Sequence, residues 1–201
     1  MARTTPGVTR QRIVDEATKL FGSNGYAATS IADIQQACGL TGGSGALYKH
    51  FPSKKALLDE IIRQHLSTIT EGGRQAQELP EDPRAALPLI GRIVWDGMAR
   101  DHDALRIVFR ELDRFPELLE QMWDTVLGGI YVAATEWIRA GVDQGRMTVA
   151  DPKATAAVLF ASLTYYRILG ALVGHTPGDV PEEAYLAAWT EHAVVTLGIE
   201  P

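Results

Sequence analysis

The sequence predicts an all-α protein of about nine helices, arranged as a small N-terminal head and a larger body. Three observations predict it. Apolar residues recur at three- and four-residue spacing, and no run alternates as a half-buried strand would. The breaks between runs carry helix-boundary chemistry: Asn24-Gly25, Asp82-Pro83, Pro116, Gly145 and Asp151-Pro152. Of the 201 residues 46% are apolar, ample for a packed core.

Taken in order, residues 1–8 are a polar arm with Arg3. Thr9 to Ser23 reads as an amphipathic helix with Ile13, Val14, Ala17, Leu20 and Phe21 on its stripe, closed by Asn24-Gly25; Tyr26 can pack back on the head. Thr29 or Ser30 caps the next helix, because a small hydroxyl there satisfies an orphan amide. Ser30 and Asp33 have capping-box spacing, with Asp in place of the usual Glu or Gln. Ile31, Ile34 and Ala37 share one face. Gly39 suits the left-handed position after Cys38, where a β-carbon is costly. Ala46 to Phe51 is a second short helical run, and Ser53 caps a third helix opened by Lys54 and Lys55. A helix, a turn containing glycine and a short second helix form a helix-turn-helix signature.

The third helix is expected to run to about Thr70 and to bridge head and body, with Ala56, Leu57, Leu58, Ile61, Ile62 and His65 inward. Gly72-Gly73 ends it, and residues 71–81 form the loosest linker. Asp82-Pro83 opens a helix to about Arg100 that Pro88 can bend. Asp101 or Asp103 starts the next, through Phe109 and Leu112. Pro116 opens a long helix to about Gln144, Asp151-Pro152 another to about Val173, and the last runs from about Pro181 to Leu197. The expected division is a head of residues 1–55 and a body of 56–201.

Ala154 to Val173 is apolar nearly all round, and so is most of Ala184 to Leu197. Such helices need cover on every side. A second copy supplies it by completing a four-helix bundle about a two-fold axis, which puts Leu169, Leu172, Tyr185, Trp189 and Val194 at a dimer interface. An ordinary central core helix accounts for the first of the two runs and leaves the last helix exposed.

The net charge of −6 argues against nucleic acid until it is divided along the chain. Residues 1–55 hold seven Lys and Arg against three Asp and Glu, a net +4, which leaves −10 for residues 56–201. A basic head on an acidic body is the footprint of a domain that meets phosphate. Other classes find no support. No acid/base dyad, nucleophile constellation or phosphate loop is present. His65, His102, His175 and His192 are dispersed without zinc-site spacing, so neither a metal nor a cofactor is expected. Cys38, the single cysteine, permits no internal disulfide, fits a reducing cytoplasm and reads as a small core residue. The N-terminus has no apolar core of a signal peptide. No membrane span is expected either: the most apolar run, Ala154 to Val173, carries Tyr165, Tyr166 and Arg167.

Thr29-Ser30, Asp33-Ile34, Ala37, Gly39-Leu40-Thr41, Gly45, Leu47-Tyr48, His50-Phe51 and Ser53-Lys54 together resemble the DNA-binding motif of TetR-type transcriptional repressors. The likeness covers roughly the first third of the chain. One departure is local: Gly42, Gly43 and Ser44 separate Thr41 from Gly45, two residues more than the family's usual single residue. The resemblance implies a cytoplasmic regulator that binds near-palindromic double-stranded operator DNA as a homodimer, and that a small-molecule effector releases. In that setting Tyr48, His50 and Lys54 hold phosphate, and Lys49 reaches a base edge or a phosphate. Amides at Thr29 and Ser53, with Ser30, add donors at helix N-termini. Thr41, Gly42, Gly43, Ser44, Gly45 and Ala46 are the groove-facing set, where small residues permit close approach.

The resemblance also places an effector among the body helices. Trp95, Met98, Phe109, Met122 and Trp123, with Tyr131, Tyr165 and Tyr166, are the expected lining, and Arg167 or Glu111 a polar anchor. Such a lining favours a mostly apolar or aromatic ligand. Arg167 pairing with a carboxylate remains the alternative at that position. The competing readings are an all-α enzyme or metal-binding protein with an incidental basic head, and an architectural DNA binder without a ligand.

Overall fold

The computed structural model describes residues 6–40, 45–75, 79–100, 102–111 and 114–200. All regular structure among them is helical: α1 Pro6–Asn24, α2 Ile31–Ala37, α3 Lys54–Gln75, α4 Pro83–Arg100, α5 His102–Glu111, α6 Pro116–Met122, α7 Gly128–Asp143, α8 Pro152–Val173 and α9 Glu182–Thr196. Two compact units form. One joins residues 1–65 to 102–119, and the other joins 66–101 to 120–201.

In the first unit α1 packs on α2 and α5. Ile13, Val14, Ala17 and Phe21 are buried at the spacing the sequence sets. Ser30 is the N-cap of α2: its Oγ accepts from the Asp33 amide at 3.1 Å while Asp33 Oδ2 accepts from the Ser30 amide at 2.7 Å. The capping box therefore forms with aspartate in the third position. Thr29 does not share that role. It is 1% exposed, and its hydroxyl donates to the carbonyls of Gly25 and Leu20. Gly39 turns the chain at φ +64°, and Leu40 donates back to the Gln35 carbonyl at 2.8 Å. Residues 46–50 form a hydrogen-bonded turn where a short helix is expected. Phe51 and His50 both donate to the Leu47 carbonyl, and Leu47 and Phe51 anchor the turn in the core at 0% and 2% exposure.

Ser53 caps α3, accepting from the Ala56 amide at 3.0 Å. Leu57, Leu58, Ile61 and Ile62 bury one stripe of the helix. The helix does not stop near Thr70; it continues through Gly72-Gly73 to Gln75. Glycine weakens a helix by about 1 kcal/mol without forbidding it. Across the stripe Glu60 gathers the charges of two helices. Arg10 of α1 reaches it at 2.9 Å and Arg63 at 2.6 Å, and Gln64 donates at 2.8 Å.

In the second unit α8 packs against α4, α7 and α9, and α4 also packs on α9. Asp151 caps α8 by accepting from the Ala154 amide at 3.0 Å, with Pro152 in the first turn as the sequence predicts. The core joins Leu87 and Trp95 of α4, Ile138 of α7, Leu159, Leu163 and Tyr166 of α8, and Leu186, Trp189 and Ala193 of α9. The expected long helix from Pro116 is continuous through α6 and α7, but it contains a π turn at Trp123–Leu127, closed by the Gly128 amide on the Trp123 carbonyl. The expectation that no run is long enough to span a membrane needs correction. α8 has 22 residues, and an 18-residue stretch of it has mean hydropathy 1.6, enough by length and composition, with 28% of that stretch buried within the fold. It is an apolar helix with three helical neighbours in this unit.

Two predictions follow from this packing. Glu60 is held down to about 2, first by its hydrogen bonds to Arg63 and then by those to Arg10. Its contribution to stability is full above the ordinary carboxylate value of 4.5 and is lost as pH falls from there toward 2. Glu60→Gln removes that part of the acid limb, as urea midpoints across this pH range will report. Gly198 has φ +58°, and a β-carbon there meets the Thr148 carbonyl oxygen at 2.8 Å. Gly198→Ala is expected to destabilise the second unit by about 2 kcal/mol, read as a lower urea midpoint, whereas Gly129→Ala, with open space around it, will not.

Candidate nucleic-acid interface

The residues singled out in the head divide by what their side chains already touch. Thr41, Gly42, Gly43 and Ser44 lie outside the described residues. Ser30 is at the surface at the start of α2, and Thr29 is inside. Its hydroxyl is committed to the turn before α2, so the side chain does not reach the surface. Gly45 and Ala46 are half-buried. Tyr48 is 55% exposed, Lys49 is exposed and His50 half-buried. Leu47 and Phe51, pointing inward, hold that triplet at the rim of the turn.

The charges are less evenly available than the head's net +4 implies. Arg10 lies over the Phe51 ring at 4.8 Å and pairs with Glu60. Lys19 pairs with Glu16 at 2.9 Å. Lys55 is shared between Asp59 at 3.0 Å and Glu117 at 3.1 Å. Lys54 has its Nζ 4.3 Å from the centre of the Tyr26 ring and 5.8 Å from that of Phe21. Burial pushes its ammonium below the ordinary lysine value, against the pull of Glu111. Among the described cations of the head, Arg12 and Lys49 alone make no ion pair, side-chain hydrogen bond or ring contact. Arg12 was not singled out by the sequence, which offers only its charge. Its Nη2 lies 3.9 Å from where a β-carbon on Gly39 would stand, beside the turn of the motif.

Cys38 beneath that turn is 4% exposed, its Sγ 3.7 Å from the Arg12 carbonyl, and burial raises its thiol. It is a core residue. Among the described residues no three His, Cys, Asp or Glu side chains gather as a metal site would need.

The residues expected to line an effector site fall in different settings. Glu111 and Phe109 belong to the first unit. Glu111 accepts from the Tyr26 amide at 3.1 Å, with Arg114 at 3.7 Å, and is thus tied to the head. In the second unit Trp95 and Tyr166 stack at 6.3 Å, and the Arg167 guanidinium lies 4.8 Å over Trp95. The carboxylate partner weighed for Arg167 is absent among the described residues; the indole takes that place. Met122 is buried and Met98 half-buried. Trp123 is 53% exposed beside Tyr131, which in turn meets Phe160 at 5.1 Å. Tyr165 faces outward at 62% exposure. A groove of about 260 Å³ lies elsewhere in this unit, between Leu79, Pro80, Pro83, Trp137, Ala140 and Met147. None of the expected lining residues contributes to it.

The expected interface residues also sort by contact. Trp189 is a core residue, 7% exposed, with Nε1 donating to the Leu159 carbonyl and the Ser162 hydroxyl at 3.2 Å each. Tyr185 stacks on Tyr166 at 4.2 Å and donates to the Ser162 carbonyl. Leu169, Leu172 and Val194 are half-buried. The strongly exposed apolar positions on these two helices are Val158, Tyr165, Val173 and Val195.

Comparison with known proteins places this geometry in context. A family model described as bacterial regulatory proteins, tetR family, matches residues 13–61. A second, the AefR-like transcriptional repressor C-terminal domain, matches residues 86–197. The chain is 32% identical over 130 residues to the HTH-type transcriptional repressor KstR2 of Rhodococcus jostii, covering 59% of this chain and 63% of that protein. It is 29% identical over 163 residues to the HTH-type transcriptional regulator TtgR of Pseudomonas putida, covering 76% and 75%. Among solved structures, a tetR-family regulatory protein from Rhodococcus RHA1 superposes with a TM-score of 0.76 at 21% identity, over 98% of this chain and 100% of that one.

Proposed function

We propose, from the premise that this chain belongs to the TetR family of bacterial regulatory proteins, that it is a ligand-responsive repressor that grips a near-palindromic operator as a homodimer. The observation that carries the reading is the rim of the helix-turn-helix. Ser30 caps α2, Leu47 and Phe51 fix the following turn, and Tyr48 and Lys49 are exposed on it. Ser30, Tyr48, His50 and Lys54 are the phosphate set, with amides at the starts of α2 and α3. Base readout falls to residues 41–46 with Lys49, where glycines let the backbone approach the groove. Arg12 joins the phosphate set because its charge is unspent beside the Gly39 turn. In this reading residues 1–55 are the DNA-binding head and 56–201 the effector and dimerisation body.

The dimer rests on the outward apolar residues of α8 and α9. Val158, Tyr165 and Val173 lie along α8, and Val195 on α9 is 79% exposed. A second copy about a two-fold axis covers them, and each head then meets one half-site, about 34–36 Å from the other. Relatives named as a transcriptional repressor and a transcriptional regulator support the regulatory reading. An effector acts by binding one arrangement of the dimer better than the other, and operator DNA must then weaken its binding by the same factor.

Two experiments test this. Arg12→Ala and Lys49→Ala should each lower affinity for DNA from the chain's own upstream region and reduce the slope of log K against log salt by about one. Arg12→Ala should do so on every sequence alike, and Lys49→Ala should also alter preference among sites. Unchanged slopes in both variants, measured by fluorescence anisotropy, defeat the assigned contacts. Tyr165→Glu and Val195→Glu should yield monomer in sedimentation velocity and lose cooperative binding to a two-half-site duplex. A wild-type chain that sediments as a monomer at micromolar concentration defeats the dimer.

A further inference from the structure

Four aromatic side chains with polar tips meet in the core of the second unit, and three of those tips are satisfied. Tyr166 Oη donates to the Pro177 carbonyl at 3.0 Å and accepts from the Val180 amide at 2.9 Å. Tyr185 Oη donates to the Ser162 carbonyl. Trp189 Nε1 donates to Leu159 and Ser162. The fourth, Trp95, is 3% exposed, and its Nε1 is buried without an acceptor among the described residues. A buried donor left unpaired is costly, and native cores rarely tolerate one unless something else supplies the partner. Lying on the same indole is a second donor group without a protein partner among the described residues, though unlike the indole nitrogen it is not sealed from water. The Arg167 guanidinium is half-buried, 4.8 Å over the Trp95 ring, and makes no hydrogen bond or ion pair among the described residues.

Two neighbouring donors without an acceptor, one of them cationic and partly withdrawn from water, ask for the same chemistry. A neutral carbonyl answers the indole and leaves the guanidinium's charge uncompensated. A carboxylate answers both, because it offers several lone pairs, bears the opposite charge and matches the planar fork of arginine. The surroundings of the indole are apolar and aromatic: Tyr166, Tyr185, Leu163 and Leu186 belong to the same cluster. We propose that Trp95 and Arg167 together bind the acidic group of an apolar carboxylic acid, whose remainder packs among the helices of this unit. This rests on the reading that the body takes an effector, and it narrows that effector from apolar or aromatic molecules to those that end in a carboxylate.

The test compares matched probes that differ only at the head group: dodecanoate with dodecan-1-ol, and 4-phenylbutyrate with 4-phenylbutan-1-ol. The full chain labelled with 15N is titrated without DNA, and the Trp95 indole N–H resonance is identified by its loss in Trp95→Phe. The expected result is a downfield shift of that resonance and a raised Tm with at least one carboxylate and with neither alcohol. Trp95→Phe and Arg167→Met should each weaken that carboxylate about tenfold or more. Trp95→Phe keeps an aromatic ring in the core and removes the unpaired donor, and its ligand-free Tm and 15N spectrum are compared with wild type so that loss of binding is not read as loss of structure. Arg167→Lys keeps a charge without the fork and should bind between Arg167→Met and wild type. Equal effects of acid and alcohol overturn the proposal. So do carboxylate binding that leaves the Trp95 resonance and both variants' affinities unchanged, the absence of any shift at millimolar carboxylate, and a Trp95 N–H already hydrogen-bonded in the ligand-free protein. Release from upstream DNA is measured separately. Carboxylates that bind at Trp95 and leave DNA affinity unchanged support the site and count against the effector reading instead.

Discussion

The start of α3 depends on one clasp. Ser53 satisfies the first free amide, and the two lysines that follow it are both held by the first unit itself. Lys54 rests on Tyr26, whose own amide is held by Glu111 and whose ring meets Phe115 edge-on at 5.2 Å. Lys55 lies over Phe115 and pairs with Glu117. Residues far apart in sequence thereby fix where this helix begins, and the helix-turn-helix rim is set just before it. A cation over an aromatic face is worth more where water is partly excluded, and Lys54 is in that condition. Its lowered proton affinity and its ring contact have the same origin, the burial of the ammonium against Tyr26 and Phe21.

Charge in the head is therefore of two kinds. Some of it builds the unit. Glu60 joins α1 to α3 through Arg10 and is nearly enclosed, with a side chain 10% exposed, so its hydrogen bonds are screened little. The exposed pair of Lys19 and Glu16 contributes little by comparison. Among the described cations of the head, Arg12 and Lys49 are the two that no contact within the fold engages. A summed charge of +4 overstates the field this surface presents, because most of its cations are already answered within the fold.

The second unit sets apolar burial against polar satisfaction. Its helices bury tryptophan and tyrosine rings side by side, large apolar surfaces that each carry a polar tip. Their polar tips must then find partners within a few ångströms. α8 provides carbonyls at Leu159 and Ser162, and the segment before α9 provides Pro177 and Val180. Trp95 on α4 has no such neighbour among the described residues. The same helices leave valines and Tyr165 on the outside, so packing inside one chain does not use all the apolar surface that α8 and α9 hold.

What the sequence determined by itself is local. The Ser30–Asp33 capping box, the Asp151-Pro152 start of α8, the Gly39 turn and the Ser53 cap depend on residues within a few positions of one another, so their chemistry can be read without a fold. The family motif was legible for the same reason, since it is a continuous stretch. Buried stripes on α1 and α3 followed from helical period. Only tertiary structure decided which side chains are spent. Arg10 meets Glu60 fifty residues away and Tyr26 meets Glu111 eighty-five residues away. Trp189 turns inward onto Leu159 while Tyr165 turns out. Aromatic composition could name candidates for a lining or an interface, but not sort them, because helical period gives a residue's direction around its own axis and not what stands opposite. That is fixed by how distant helices pack, and it left Arg12 unspent and Lys54 on a ring.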